Sequence, residues 1–357
     1  MTTMHAMVTM GHGDFDVLQY HENWQKPEPK ADEVLVRVKA CGLNNTDVNT
    51  RSGWYSKAVS SATTGGAYSE VSENDPTWGG APIQFPRIQG ADVCGIIEAV
   101  GEGVEVSRIG ERIISDNWIR DPNDLFNKDK AIYFGSEIDG GFAEYTILPS
   151  RNALKIESDY SDAELATFSC SYSTAEGMLH RANVSHKDTI LVTGASGGVG
   201  GALVQLAKLR GCRVIAMASQ AKHDAVKMFG ADWVIERNPE NLRAVLGNEK
   251  ITVVADIVGG DYWSNLIDIL ERGGRYTCSG AIAGPIVSLD LRTFYLNDLT
   301  LTGSTIIDPS VMQNLISYIE TKKIRPILAA IYPLSQLREA QHAFIEKQHV
   351  GNIVVQP

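Results

Sequence analysis

The stretch Thr189-Ile-Leu-Val-Thr-Gly194-Ala-Ser-Gly197-Gly198-Val-Gly200, running into Gly201-Ala-Leu-Val-Gln-Leu-Ala-Lys-Leu-Arg210, constrains this chain more than any other. Before Gly194 the residues are apolar without polar alternation, the pattern of a strand covered on both faces. After it, Val199, Leu203, Leu206 and Ala207 recur at helical spacing. The glycines therefore sit where a buried strand becomes an amphipathic helix. Such a turn lets the backbone approach a pyrophosphate, whose charge meets free N–H groups and the positive end of the helix dipole. The ligand predicted is a dinucleotide, touched by Ser196, Gly197, Gly198 and Val199.

The next strand, Arg213-Val-Ile-Ala-Met-Ala218, leads to the position that selects between nicotinamide cofactors. An NAD-binding unit usually carries an acidic residue about 20 positions beyond the glycines, to hold the ribose 2′-hydroxyl. Here Ser219 stands there, Lys222 follows within a helical turn, and Arg237 lies after the third strand, Trp233-Val-Ile-Glu236. A serine and two cations suit a 2′-phosphate, and two charged hydrogen bonds favour it by roughly 10²-fold or more. The expected cofactor is NADPH.

A chain of 357 residues suits two domains with a cleft between them. The formal net charge of −11, without a basic tract, argues against nucleic acid or an anionic membrane as partner, so a small-molecule substrate is expected. No apolar run approaches the roughly 20 residues of a membrane span, and the polar N-terminus lacks a signal-peptide apolar region, so a cytoplasmic location is expected. The five cysteines are scattered without a Cys-x-x-Cys pair and read as reduced thiols.

Residues 4–150 alternate short β-type segments with turns, among them 33–39, 95–100, 111–114 and 141–148, and predict a largely antiparallel β domain. From about 156 to 290, strand and helix patterns alternate, with strands at 190–194, 213–217, 233–236, 252–258 and 273–279. That is the pattern of an α/β doubly wound parallel sheet, the Rossmann arrangement, which a strand at 298–303 completes. The tail from Pro309 carries helical segments and a closing strand near Asn352, and is expected to rejoin the first domain. The assigned limits are 1–155, 156–305 and 306–357. Residues 56–84 are rich in Ser, Thr, Gly and Pro, and the aromatics Trp54, Tyr55, Tyr68 and Trp78 in or beside them suggest a lid or pocket wall.

The chain resembles the medium-chain dehydrogenase/reductase superfamily over nearly its whole length, in particular its quinone-oxidoreductase branch. The residues that carry this are 38–47, 51–55, Pro86-Arg-Ile-Gln-Gly90-Ala91-Asp92-Val-Cys-Gly95, Gly140-Gly-Phe-Ala-Glu-Tyr145 and the stretch from Gly194 to Leu209. The resemblance implies a GroES-like catalytic domain built from both chain ends, a nucleotide-binding domain and a homodimer. It also exposes departures. Zinc alcohol dehydrogenases carry a Cys where this chain has Asn44 and a His where it has Ala91, which leaves only Cys170 of three ligands. The four-cysteine structural lobe between Val100 and Tyr145 is missing as well. One thiolate does not hold a zinc ion that needs three protein ligands, so no metal is expected.

Without a metal, charge building on a substrate oxygen needs hydrogen-bond donors already in place. An acceptor in which C=C is conjugated to a carbonyl spreads that charge into an enolate or hydroquinone, so an electrophilic quinone, enone or enal is the expected substrate. By the resemblance, Tyr55 falls on a proton-donating tyrosine of enoyl reductases and Asn44 on a cleft residue of zinc-free quinone reductases. Tyr55 is read as the proton donor and Asn44 as the group that polarises the carbonyl, with Thr46 and Asp47 as structural or proton-relay groups. Further cofactor contacts are assigned to Thr174, to Ser279, Gly280 and Ala281 at a strand end, and to Asn352. A zinc-independent ketone or aldehyde reductase and an NADPH-binding protein without turnover are the alternatives.

Overall fold

The computed structural model describes residues 2–63, 66, 68, 69, 71, 72, 75 and 82–357. Two compact units are present: Met1–Val59, Thr64–Cys170 and Met312–Pro357 form one, and Ser60–Thr63 with Ser171–Val311 the other. These limits lie beyond the sequence-based breaks at 155/156 and 305/306. The reason at the first break is packing: the short helix Asp162–Leu165 lies against the strands Glu33–Gly42 and Asp92–Val100 of the first unit, so the chain leaves that unit only after it.

In the second unit, six parallel strands run in the spatial order Trp233–Ile235, Arg213–Met217, Thr189–Val192, Ile251–Asp256, Leu270–Cys278 and Thr300–Gly303. The order reverses beside Thr189–Val192, where α/β sheets bind ligands at the carboxyl ends of the strands. Ile190, Leu191 and Val192 are wholly buried, as their unbroken apolar run requires. The helix Gly198–Leu209 buries Leu203, Val204, Leu206 and Ala207.

The first unit holds a seven-stranded sheet in which Glu33–Gly42 pairs antiparallel with Asp92–Val100, Tyr145–Pro149 and the C-terminal strand Asn352–Gln356. Leu328–Pro333 adds to Asn352–Gln356 in parallel. The tail thus completes a sheet begun by the N-terminal third of the chain. The strand expected over 141–148 begins only at Tyr145. The residues before it pair elsewhere: the Gly141 and Phe142 N–H groups donate to the carbonyls of Gly90 (2.7 Å) and Gln89 (2.9 Å). Gly140 permits this approach, since a Cβ there would stand 2.3 Å from the Gly90 oxygen. Of the lid expected over 56–84, Trp78 and most of 64–81 lie outside the described residues; Trp54 is buried and Tyr68 half-buried. All five cysteines are free. Among the described residues no helix is long and apolar enough to cross a membrane.

Candidate active site

In the first unit the site is organised by the helix Asn45–Ser52. Asn44 precedes it in extended conformation, and the Asp47 carboxylate accepts the Asn44 N–H at 2.8 Å, which satisfies a donor the helix leaves open. The other Asp47 oxygen accepts the Gly90 N–H at 3.2 Å. Gly90 has φ 92°, and a Cβ there would lie 2.7 Å from the Phe142 ring, so this contact needs glycine. Asp47 therefore ties the helix start to the Gln89–Asp92 segment. These are anchoring contacts, and both roles read from the sequence remain compatible with them.

Gly53 ends the helix at φ 80°, and the chain reverses so that the Trp54 N–H donates to the Asn49 carbonyl at 2.8 Å. The reversal brings the half-buried Tyr55 back to the helix. Side chains of Thr46 and Asn49, three residues apart and hence on one face, hydrogen-bond its hydroxyl and stabilise its ionised form. Burial outweighs them and pushes the Tyr55 phenol well above its ordinary value.

Behind Asn44 lies a polar cluster that, among the described residues, holds no cation. Its carboxamide Nδ2 donates to Asp92 Oδ2 at 3.0 Å. Asp92 Oδ1 accepts from Asn117 Nδ2 at 3.0 Å and from the Cys170 N–H at 2.7 Å. Tyr133 closes the cluster, its hydroxyl donating to Cys170 Sγ at 3.4 Å and standing 3.4 Å from Asn117 Nδ2. Asp92 is 1 % exposed and Asp47 3 %. Burial raises Asp92 to about 6, against the hydrogen bonds that favour its charge. Burial raises Asp47 to about 7, with the Asp92 charge adding to it.

This donor set does not fit a catalytic zinc ion. At the position of a first ligand Asn44 presents an amide engaged to a carboxylate, Ala91 has no donor atom, and Cys170 Sγ already meets a phenol. Among the described residues no group of three His, Cys, Asp or Glu is disposed to hold a metal.

In the second unit the glycine turn behaves as its spacing predicts. Gly194 has φ 57°, and a Cβ on Gly200 would fall 2.1 Å from the Gly194 oxygen, so the helix packs on the turn only without a side chain there. Gly197 precedes the helix Gly198–Leu209, and no side chain caps its N-terminus. Ser196, Gly197, Gly198 and Val199 are half-buried at the carboxyl edge of the sheet. Ser219 follows the strand Arg213–Met217 at the same edge, and Lys222 and Arg237 lie close enough that Lys222, lowered first by burial, is lowered further by the Arg237 charge. Glu236 also reaches this corner: its carboxylate accepts the N–H groups of Gln220 (2.8 Å) and Arg237 (3.0 Å). Sequence spacing had placed no acid here.

Ser279, Gly280 and Ala281 follow the strand Leu270–Cys278, with the Ser279 hydroxyl donating to the Ser304 carbonyl at 2.6 Å. Buried Asp256 holds the neighbouring loop, accepting from Thr193 Oγ1 (2.5 Å), Tyr276 Oη (2.7 Å) and the Val258 N–H (2.8 Å). Thr174 is buried on the helix Ser169–Arg181. Asn352 belongs to the first unit, where its amide donates to the Ile327 carbonyl at 3.3 Å and its N–H to the same oxygen at 2.8 Å. These bonds fasten sheet to loop within the first unit. The sequence reading missed Asn117 and Tyr133, which lie outside every motif, and gave no role to Asn49, which stands between the motif segments 38–47 and 51–55, or to Asp92, which stands inside one.

One unit carries a parallel sheet with a glycine-rich turn and the other an antiparallel sheet with a buried polar cluster, and comparison with known proteins makes the chain an oxidoreductase of a family that binds a nicotinamide cofactor. Residues 30–158 match the alcohol dehydrogenase GroES-like domain and residues 198–321 the zinc-binding dehydrogenase family. A solved chain from Sinorhizobium meliloti 1021, provisionally described as an alcohol dehydrogenase, is 46% identical, with 99% of this chain and 97% of that chain covered and a TM-score of 0.89. Quinone oxidoreductase of Lama guanicoe is 26% identical over 99% of this chain and 97% of its own. The chloroplastic NADPH-dependent alkenal/one oxidoreductase of Arabidopsis thaliana is 27% identical over 99% of this chain and 80% of its own. The chain belongs to the medium-chain dehydrogenase/reductase superfamily.

Proposed function

We propose that this oxidoreductase uses NADPH, without zinc, to reduce the double bond of an acceptor conjugated to a carbonyl: a quinone, enone or enal. The observation that carries the reading is the Tyr55 hydroxyl, kept protonated by burial and hydrogen-bonded by Thr46 and Asn49. When bound, the reduced nicotinamide supplies the hydride. The Asn44 amide offers a hydrogen bond to the oxygen on which charge develops, and Tyr55 gives the proton that completes the saturated product. Thr46 and Asn49 then stabilise the phenolate until solvent returns a proton. The balance is acceptor plus hydride plus one proton. Relatives named for quinone and for alkenal/one reduction support this substrate class, and the latter's name supports NADPH. The paired cations Lys222 and Arg237 support it independently. Steady-state oxidation of NADPH against a panel of quinones, enals, cyclic enones and simple ketones tests the reading. Preference for conjugated acceptors is expected, and turnover confined to simple ketones would overturn it.

A further inference from the structure

We propose that Asp92 is a positioning residue that fixes which way the Asn44 carboxamide faces, and so presents an N–H rather than an oxygen to the acceptor. The proposal rests on the role given to Asn44 above. The two ends of a carboxamide have nearly the same shape, so packing alone does not choose between them. An ionised carboxylate accepts hydrogen bonds and donates none. Asp92 Oδ2 therefore draws Nδ2 of Asn44 towards itself, at 3.0 Å, and excludes Oδ1. The second amide hydrogen is left for the acceptor oxygen.

Asn117 shows the same force at work on the other carboxylate oxygen. Its Nδ2 also faces Asp92, at 3.0 Å, while its Oδ1 is buried with no hydrogen-bond partner among the described residues. An orphaned buried carbonyl costs about 1–3 kcal/mol. The amide holds that orientation because the alternative sets oxygen against carboxylate. The room for Asp92 is built in: a Cβ on Gly42 would stand 3.3 Å from Asp92 Oδ2 and 2.3 Å from the Ala166 oxygen.

The titratable groups around Asp92 are Asp47 on the helix Asn45–Ser52, Cys41 on Glu33–Gly42, Tyr133 on the two-residue strand Ile132–Tyr133, and Cys170. None is a cation, so only hydrogen bonds hold the charge. With its carboxyl raised to about 6 by burial, Asp92 becomes able to donate below that pH, and its hold on Asn44 lapses.

The test is a polarity swap. In Asp92→Asn the outline is kept but either orientation of Asn44 is satisfied. We expect kcat for a conjugated enone to fall at least tenfold, KM for NADPH to stay within about twofold, and the acid fall-off of kcat near pH 6 to disappear. The double variant N44D/D92N restores an amide–carboxylate pair in reverse. It should recover thermal stability lost in the single variant but not kcat, because no N–H then faces the acceptor. Wild-type kcat in D92N, or recovery of kcat in the swap, overturns the proposal. Side-chain amide 15N–1H spectra of the wild type and D92N read the orientation directly. The Asn44 amide resonances should shift on substitution, and an unchanged pair overturns the proposal even if enone turnover, and with it the functional reading, fails.

Discussion

Lys222 and Arg237 test the cofactor assignment quantitatively. They reach one corner from the ends of adjacent parallel strands, and Lys222 bears the cost of partial burial and of the Arg237 charge when no anion is present. A 2′-phosphate placed there relieves both. Lys222→Ala removes one charge-assisted hydrogen bond, worth about 1.5–3 kcal/mol, but also relieves that strain in the free protein, so the loss should sit at the lower end. That is about tenfold in kcat/KM for NADPH. Arg237 is exposed and screened, so Arg237→Ala should cost less, with an effect that shrinks as salt is raised. Glu236→Gln removes a carboxylate at this corner and should move preference further towards NADPH. Initial rates with both cofactors, at fixed acceptor and two ionic strengths, read all three. NADH turnover should change by no more than about twofold throughout. Equal losses with NADH and NADPH, or equal wild-type rates with both, would refute the reasoning.

Two other predictions concern the first unit. Tyr55→Phe removes the proposed proton donor but keeps the ring that packs edge-on against Trp54 at 5.7 Å; kcat should fall by about 10²-fold, in the range positioned proton donors supply, with the melting temperature nearly unchanged. Unchanged turnover removes Tyr55 from the chemistry. The buried acids give stability a pH dependence whose sign follows from their raised values. Folded Asp47 and Asp92 hold protons up to about 7 and about 6, whereas the unfolded chain releases them near 3.8, so their contribution is complete below about 4 and is lost as pH rises through 6 and 7. The difference in melting temperature between pH 5 and pH 8 should therefore shrink in Asp47→Asn, and parallel pH profiles would contradict it.

The nucleotide unit was legible because its signals are local. An apolar run, a glycine turn and a helical repeat lie within 22 consecutive residues, and Gly200 answers a contact inside that stretch, with the Gly194 carbonyl. The polar cluster of the first unit is built from long-range pairs, and only the family resemblance made its residues visible. The bond from Asn44 to Asp92 spans 48 positions, that from Asp92 to Cys170 spans 78, and Tyr133 meets Cys170 across 37. No periodicity encodes such distances. Asn352, read from the sequence as a cofactor contact, also fastens its strand to the loop at Ile327 across 25 positions, which no local pattern encodes. Glu236 shows that counting from the glycines locates one strand end and says nothing of the acid delivered by the next.

The most direct test is product analysis. Protein whose zinc content is measured in the same sample is given NADPH and a conjugated enone, and the product is identified. The account predicts saturated ketone, formed at a rate indifferent to chelator by protein carrying far less than one zinc per chain. Allylic alcohol as the product, or turnover that rises in proportion to bound zinc, would contradict it.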